Sequence, residues 1–503
     1  GHEVTHQAWY GTPESRLSGS IDDMTIHALN NGYDEKQTQN LLNSGRTYNY
    51  YQYKNEVDDY QQTHYQLITG FQLSRKLYLN ITGHYTQGLG FFEQSKPNEN
   101  FSALGLQDPI IGNDTVSKSD VILRRWLNNH FYGGVYSLQY TKRNLSVTLG
   151  GSMNEYTGKH YGEIHWAEFA QNTVVDQRYY FSDAHKLDIS NYLRAEYQIK
   201  KITFYADAQF RHIAYESQGI DNDQRQIKIN QHYNFFNPKA GINWRINSGN
   251  NLYVSAAQSS REPVRSDFTD AISGAVPKPE FMTNAELGWQ HGAKFWQFGV
   301  NAYFMNYKNQ LVQTGELNDV GSPIRTNVPE SYRAGLELLG QINLSNGLYW
   351  QPNLTVSQNK IATFNEVLYD YTSGYDVLLI EHKNADIAFS PSIISGSELG
   401  YKTKVGLSLT LLTKFVGRQF LDNTSNAKRS IDPYITNDIR IAYQVVNPNW
   451  KRLEFTLLFN NILNELYSSN GYTYSYVFGS TITENFYYPQ AGRNWLFGIK
   501  CCF

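Results

Sequence analysis

The sequence predicts an all-β fold, an antiparallel transmembrane β-barrel with long extracellular loops and short periplasmic turns. Three observations carry this. Apolar residues alternate with small or polar ones in segment after segment. The connections between segments alternate between tight and long. The last segment has an oily face and a wetter one, and ends on an aromatic residue. From Asn494 to Phe503, Trp495, Phe497, Ile499, Cys501 and Phe503 share one face. Asn494, Gly498, Lys500 and Cys502 share the other, with Leu496 the apolar exception. Successive side chains of a strand point to opposite faces, so such a strand can part lipid from a polar lumen.

The first strand is expected from His2 to Tyr10, since the chain already reads as mid-strand at Gly1. A long segment, 11–57, follows, in which Ile21–Asn31 and Glu35–Asn43 have short helical patterns. Elsewhere the period is two. Leu77, Leu79 and Ile81 alternate with Tyr78, Asn80 and Thr82, and Leu145, Val147 and Leu149 with Ser146, Thr148 and Gly150. Trp296, Phe298, Val300, Ala302 and Phe304 share a face, as do Val405, Leu407, Leu409 and Leu411, and Leu453, Phe455, Leu457 and Phe459. These faces are expected to meet lipid.

Tight connections fall at 74–76, 142–144, 199–201, 247–250, 292–294, 345–347, 402–404 and 447–449. Between them lie polar, aromatic-rich segments: 88–121, 158–185, 215–234, 260–282, 312–331, 362–391, 420–433 and 466–491. Outer-membrane barrels sort their connections this way; a soluble sandwich or propeller has no reason to. The count between connections is about 18 strands, an even number, in one domain covering residues 1–503.

Composition agrees. Aromatic residues make up 15% of 503 and charged residues only 18%, with 39 tyrosines, as aromatic girdles at two membrane interfaces require. Mean hydropathy is −0.53, and no stretch approaches the roughly 20 apolar residues of a membrane helix. A barrel evades that test because only alternate residues face lipid. The net charge of −3 argues against a nucleic-acid partner. Cys501 and Cys502 are adjacent in a strand, point to opposite faces and do not form a disulfide framework. No signal peptide is visible, and the chain reads as mature or truncated, which leaves location open.

No catalytic signature occurs, so no catalytic residue, cofactor or resident metal is assigned. His160, Glu163 and His165 share one segment, but exposed polar residues account for them as well as a metal site does. Three carboxylates form a sharper pattern. Glu286, Glu337 and Glu398 each lie between apolar neighbours, so each is expected to face the lumen, with Arg333 assigned to the same side. In an open pore this acidic band favours cations. In a filled barrel it pairs with basic groups of the filling domain, and solvated carboxylates without a partner are the third reading. In the long segments, Arg261, Arg265 and Arg325, with Tyr371, Tyr472 and Tyr474, suit recognition of planar, anionic or sugar-like ligands. They suit packing between loops equally.

An ordered set of motifs resembles the TonB-dependent outer-membrane receptors, most closely iron-type receptors of Bacteroidetes. Arg261-Glu262-Pro263-Val264-Arg265-Ser266-Asp267-Phe268 resembles their Arg-x-Pro loop. Lys278-Pro279-Glu280 followed by Glu286-Leu287-Gly288 resembles their Lys-Pro-Glu segment, and Thr326 to Glu337 their return strand. Asn460-Asn461-Ile462-Leu463-Asn464-Glu465-Leu466-Tyr467 resembles the Asn-Leu-Phe-Asn-x-x-Tyr motif, with Ile-Leu replacing Leu-Phe. Pro489 to Asn494 resembles the approach to the family C-terminus, and Gln7 to Leu17 also matches.

The resemblance implies about 22 strands around an N-terminal plug, so the plug and about four first strands are expected outside this chain. It implies an active importer in the bacterial cell outer membrane, taking up a ferric siderophore or haem-like compound. The expected partners are membrane lipid, the plug of the same receptor, the TonB complex through the plug, a small-molecule ligand and a surface lipoprotein. A passive porin, a SusC-like glycan importer and a soluble surface adhesin are the alternatives.

Overall fold

A computed structural model describes residues 13–15, 32–44, 53–55, 57–169, 174–271, 275–318, 321–445 and 452–502. The strand expected at 2–10, the helix at 21–31, the turn at 447–449 and Phe503 lie outside these residues, as does most of the Gln7 to Leu17 match. The helix expected near Glu35 is present as Glu35–Ser44, and Asp34 and Gln37 cap its start reciprocally.

The strands, in chain order, are β1 (Pro13–Ser15), β2 (Asp58–Ser74), β3 (Leu77–Asn100), β4 (Ile110–Ile111), β5 (Asp114–Thr115), β6 (Lys118–Lys142), β7 (Leu145–Ala167) and β8 (Gln177–Ile199). Then come β9 (Ile202–Ile220), β10 (Gln226–Asn247), β11 (Asn250–Arg261), β12 (Glu280–Gly292), β13 (Trp296–Leu317), β14 (Pro323–Ser345), β15 (Leu348–Asp370), β16 (Asp376–Asp386) and β17 (Ile393–Lys402). The last are β18 (Leu407–Val416), β19 (Gln419–Phe420), β20 (Ser430–Ile431), β21 (Tyr434–Val445), β22 (Arg452–Asn460), β23 (Ser468–Phe478), β24 (Ser480–Pro489) and β25 (Asn494–Cys502).

Contacts group the chain into two compact units, one mainly of residues 51–199 and 203–240, the other mainly of 241–503. In the first unit β2, β3, β6, β7 and β8 form an antiparallel ladder. In the second, β11 to β15 pair in sequence, and β15 continues to β17, β18, β21, β22 and β25. The far half of β15 instead pairs with β16, and its tip meets β23 in parallel, Tyr369 opposite Tyr476. The hairpin β23–β24 carries β1 on its other edge.

The period-two reading of the wall holds. Leu409, Ile441, Leu457 and Phe497 lie opposite one another across β18, β21, β22 and β25, forming one apolar row. Leu409 is 49% exposed and Phe497 56%, the exposure a lipid-facing belt has before lipid covers it. Trp296 and Phe298 are exposed in the same way on β13.

The tight turns among the described residues fall where expected, and one shows its chemistry plainly. Asn346 and Gly347 both have positive φ, 43° and 96°, as the two-residue hairpin turn with matching twist requires. A Cβ on Gly347 would lie 2.0 Å from the Lys402 carbonyl oxygen.

The long segments differ from the sequence reading. Most are continuations of the strands themselves, with β3, β6, β7, β13, β14 and β15 each exceeding 20 residues. A spanning strand needs only about 9–11. Continuing the ladder into water satisfies the backbone by pairing, and aromatic residues on the flanks cover it. The buried apolar clusters sit in these extensions. Leu104, Val121, Leu123, Ile164 and Tyr179 form one in the first unit. Val312, Val328, Ile361, Phe364 and Ile387, and separately Leu421, Ile431 and Tyr487, form two in the second. Each fully buried large side chain contributes about 1.5–3 kcal/mol, so within each unit the hairpin extensions are held together by their own apolar clusters.

Candidate functional site

In the second unit the outer hairpins enclose a cavity of about 370 Å³. Its walls come from the far ends of β13, β14 and β15, residues of 267–271 and 275–278, the loop between β18 and β21, and β23. Charged clamps build it. Glu280 at the start of β12 pairs with Arg261 at the end of β11, and its other oxygen accepts the Leu311 backbone N–H at 2.6 Å. Asp267 lies in a short helix, Arg265–Thr269; it accepts the Val264 backbone N–H at 2.8 Å and the Arg325 Nε at 2.9 Å. The Asn327 side chain accepts from the Lys278 backbone N–H and donates to the carbonyls of Lys278 and Asn309.

The loop between β18 and β21 folds over the opposite wall. Arg429 is buried there, and its Nη1 donates to Asp422 at 2.8 Å and to Glu366. Glu366 also meets His382 Nε2 at 2.8 Å. Asn423 is fully buried, accepting the Ala388 N–H and donating to the Gln313 carbonyl. Asn485 of β24 donates to the Lys428 carbonyl, so the loop is sewn to both neighbouring hairpins. On β23, Tyr474 donates to Glu484 at 2.8 Å, and burial, then Glu484, push its phenol upward.

A family model for the TonB dependent receptor-like β-barrel matches residues 10–464. The chain belongs to that family. TonB-dependent receptors of this type are bacterial outer-membrane proteins, which fixes the location. Solved structures agree on the fold. The E. coli K12 ferric-catecholate import receptor Fiu in its closed form is 15% identical over 92% of this chain and 67% of its own, with a TM-score of 0.63. The ferric yersiniabactin uptake receptor FyuA of Yersinia pestis is 14% identical over 91% of this chain and 63% of its own, at 0.61. The copper transporter OprC is 11% identical over 89% and 66%, at 0.64. The chain thus spans about two thirds of the length of these receptors. Among curated proteins, no sequence matches it.

Within this receptor barrel the residues singled out from sequence fall in different places. Arg325 and Tyr474 line the cavity. Arg261 lies outside its lining and is held by Glu280, while Arg265 opens the short helix. Tyr472 stacks on Phe486 at 4.6 Å, and Tyr371 sits at a hairpin tip edge-on to Tyr375 and Tyr476. The family motifs around Arg261, Lys278 and Thr326 are therefore the clamps that shape the hairpins.

On the wall, Glu286 and Glu337 lie opposite in face to exposed Leu287, Leu336 and Leu338. Glu286 accepts from Asn284 at 2.6 Å and Glu337 from Asn301 at 3.0 Å, both neutral donors. Glu398 instead has Tyr349 at 2.7 Å and Arg440 at 3.4 Å. Arg333 donates to Asn359 and Ser390. The histidine segment disperses: His165 meets Asp176 and Glu163 meets Arg178, and no metal-binding group of three forms among the described residues. Sequence reasoning missed Asp267, Glu366, Asp422 and Arg429. Arg429 finds Glu366 63 residues away, a pairing that no local pattern announces.

Proposed function

We propose that this chain is the wall and capture surface of an active importer for a scarce small molecule, a metal chelate of ferric siderophore or haem-like type. The observation that carries the reading is the clamped cavity in the outer hairpins, within the size range of small-molecule sites. Its walls are fixed by buried ion pairs rather than by loose loops, so a ligand meets a preformed surface. Arg325 and Tyr474 are the sequence-selected residues with access to it. Arg261, Arg265, Tyr371 and Tyr472 act around it, by holding or extending the hairpins.

The same reading assigns the lumen face to a plug domain of the full receptor. Among the described residues, Glu286 and Glu337 have only amide partners and Arg333 only neutral ones, so basic and acidic groups of a plug can complete them. Release then requires the plug to move, driven by the TonB complex; a surface lipoprotein that delivers ligand fits the same scheme. Structural relatives support import of this kind, since Fiu and FyuA are described as ferric-catecholate and ferric yersiniabactin receptors. No catalysis is assigned.

Uptake of radiolabelled ferric chelates by iron-starved cells carrying the full-length receptor tests this. Uptake should vanish without TonB or the proton gradient. Uptake that persists without either would make the protein a passive porin, and TonB-dependent uptake of oligosaccharides alone would make it a glycan importer.

A further inference from the structure

We propose that Glu316 sets the ligand class, so that the cavity selects a chelate of neutral or positive net charge presenting a protonated amine or guanidinium. This rests on the reading that the cavity receives the ligand. Three cations line the cavity: Lys278, Arg325 and Arg429. Arg325 is held by Asp267 and Arg429 by Asp422 and Glu366, and these carboxylates line the same cavity. An anionic ligand would have to break buried pairs to reach either guanidinium, leaving carboxylates uncompensated in a poorly solvated place. Only Lys278 is without a carboxylate partner among the described residues.

The acids outnumber these cations. Asp267, Asp270, Glu316, Glu366 and Asp422 are five carboxylates against three cations. The field inside is therefore negative, and an enclosed wall of one sign concentrates ligands of the other.

Glu316 is the acid left over. It has no hydrogen bond or ion pair to its carboxylate among the described residues, although its backbone N–H donates to Thr314. The residue is exposed at the cavity wall, where the neighbouring protein still removes part of its solvation and pushes its carboxyl up. Its backbone is pinned by Gly315, which has φ of 102° and stands where a Cβ would come within 2.9 Å of the Asp422 Cβ. The charge of Glu316 acts on the Tyr369 phenol, and Tyr474 shares the wall. An unpaired carboxylate on the cavity wall beside phenol rings is a counter-ion for an organic cation, which gains both the charged hydrogen bond and the ring faces.

The test uses purified full-length receptor and three ferric tris-hydroxamates that differ in one arm: free ammonium, acetylated, or succinylated. Calorimetry should rank them in that order. Glu316→Gln should weaken the ammonium chelate about tenfold and leave the acetylated one within about twofold. Binding of the ammonium chelate should also weaken on acidification through the raised carboxyl range, because an ammonium favours the ionised acid. The inference falls if the succinylated chelate binds best, if the ammonium chelate fails to bind, or if Glu316→Gln changes nothing. Thr326→Trp, which fills the cavity, separates the two levels. If the three chelates bind the parent equally and Thr326→Trp abolishes all of it, the cavity stands and the charge selection fails. If Thr326→Trp binds the ammonium chelate as the parent does, the cavity reading itself fails.

Discussion

Asp267 illustrates how much one carboxylate organises here. It caps the turn at Val264 and neutralises Arg325 from a nearly buried position. Removing it leaves a backbone N–H and a guanidinium without their partner, a loss of about 1–3 kcal/mol. Asp267→Ala should therefore raise hydrogen exchange across 262–271 and around Arg325, with exchange in the wall strands unchanged. In the first unit, Glu93 plays a similar part. Burial raises its carboxyl, but hydrogen bonds from Tyr53, Asn55 and Arg124 outweigh that and hold it below its usual range. Burial and Glu93 in turn push the Tyr53 phenol up to about 12. A depressed acid stabilises fully above its unfolded value, near 4.3, and loses that contribution as pH falls through the folded value. The thermal stability gap between the parent and Glu93→Gln should thus be constant down to about pH 5 and shrink below it. The residue scale was the least legible in the sequence. Arg261 and Arg325 were chosen by type, as cations in polar segments, and type does not reveal that Glu280 and Asp267 already hold them.

At the scale of the element, legibility depends on the solvent. Wall strands must alternate, because lipid tolerates no polar side chain, so Leu409, Leu457 and Phe497 could be placed on one face from sequence alone. The outer hairpins have no such constraint. Their strands mix aromatic, polar and apolar residues on both faces, as in Tyr472 to Tyr476, and so read as loops although the ladder continues through them. The wall makes a sharp prediction. Leu409→Arg should cost roughly 2–4 kcal/mol in reversible folding into bilayers. Thr456→Arg should cost much less. Thr456 lies on the other face, opposite Gly498, where an added Cβ would meet nothing within 4 Å. Thr410 is the wrong control despite its parity, because it is only 2% exposed. Equal costs at Leu409 and Thr456 would show that the register is displaced by one residue.

For the whole molecule the governing feature is the asymmetry between the two ends of the strands. One end has turns of a few residues, built on Arg143, Lys200, Asn346 and Gly347 at positive φ. At the other, the strands of each unit extend into hairpins with their apolar clusters, and those of the second unit carry the cavity. On the proposed function, a layer that folds in water and receives the ligand is expected on the outside of the cell. The short turns are then expected on the periplasmic side. The length asymmetry of the connections was readable from the sequence, and the orientation it implies is a prediction. Site-directed labelling tests it in the full-length receptor after Cys501 and Cys502 are replaced by Ser. Single cysteines at Asn222 and Ser373, both at outer hairpin ends, should react with a membrane-impermeant maleimide on intact cells. Cysteines at Lys76 and Asn346 should react only after the outer membrane is opened. Labelling of Lys76→Cys or Asn346→Cys on intact cells would invert the barrel, and would move the cavity to the periplasmic face, where it could not capture anything from outside.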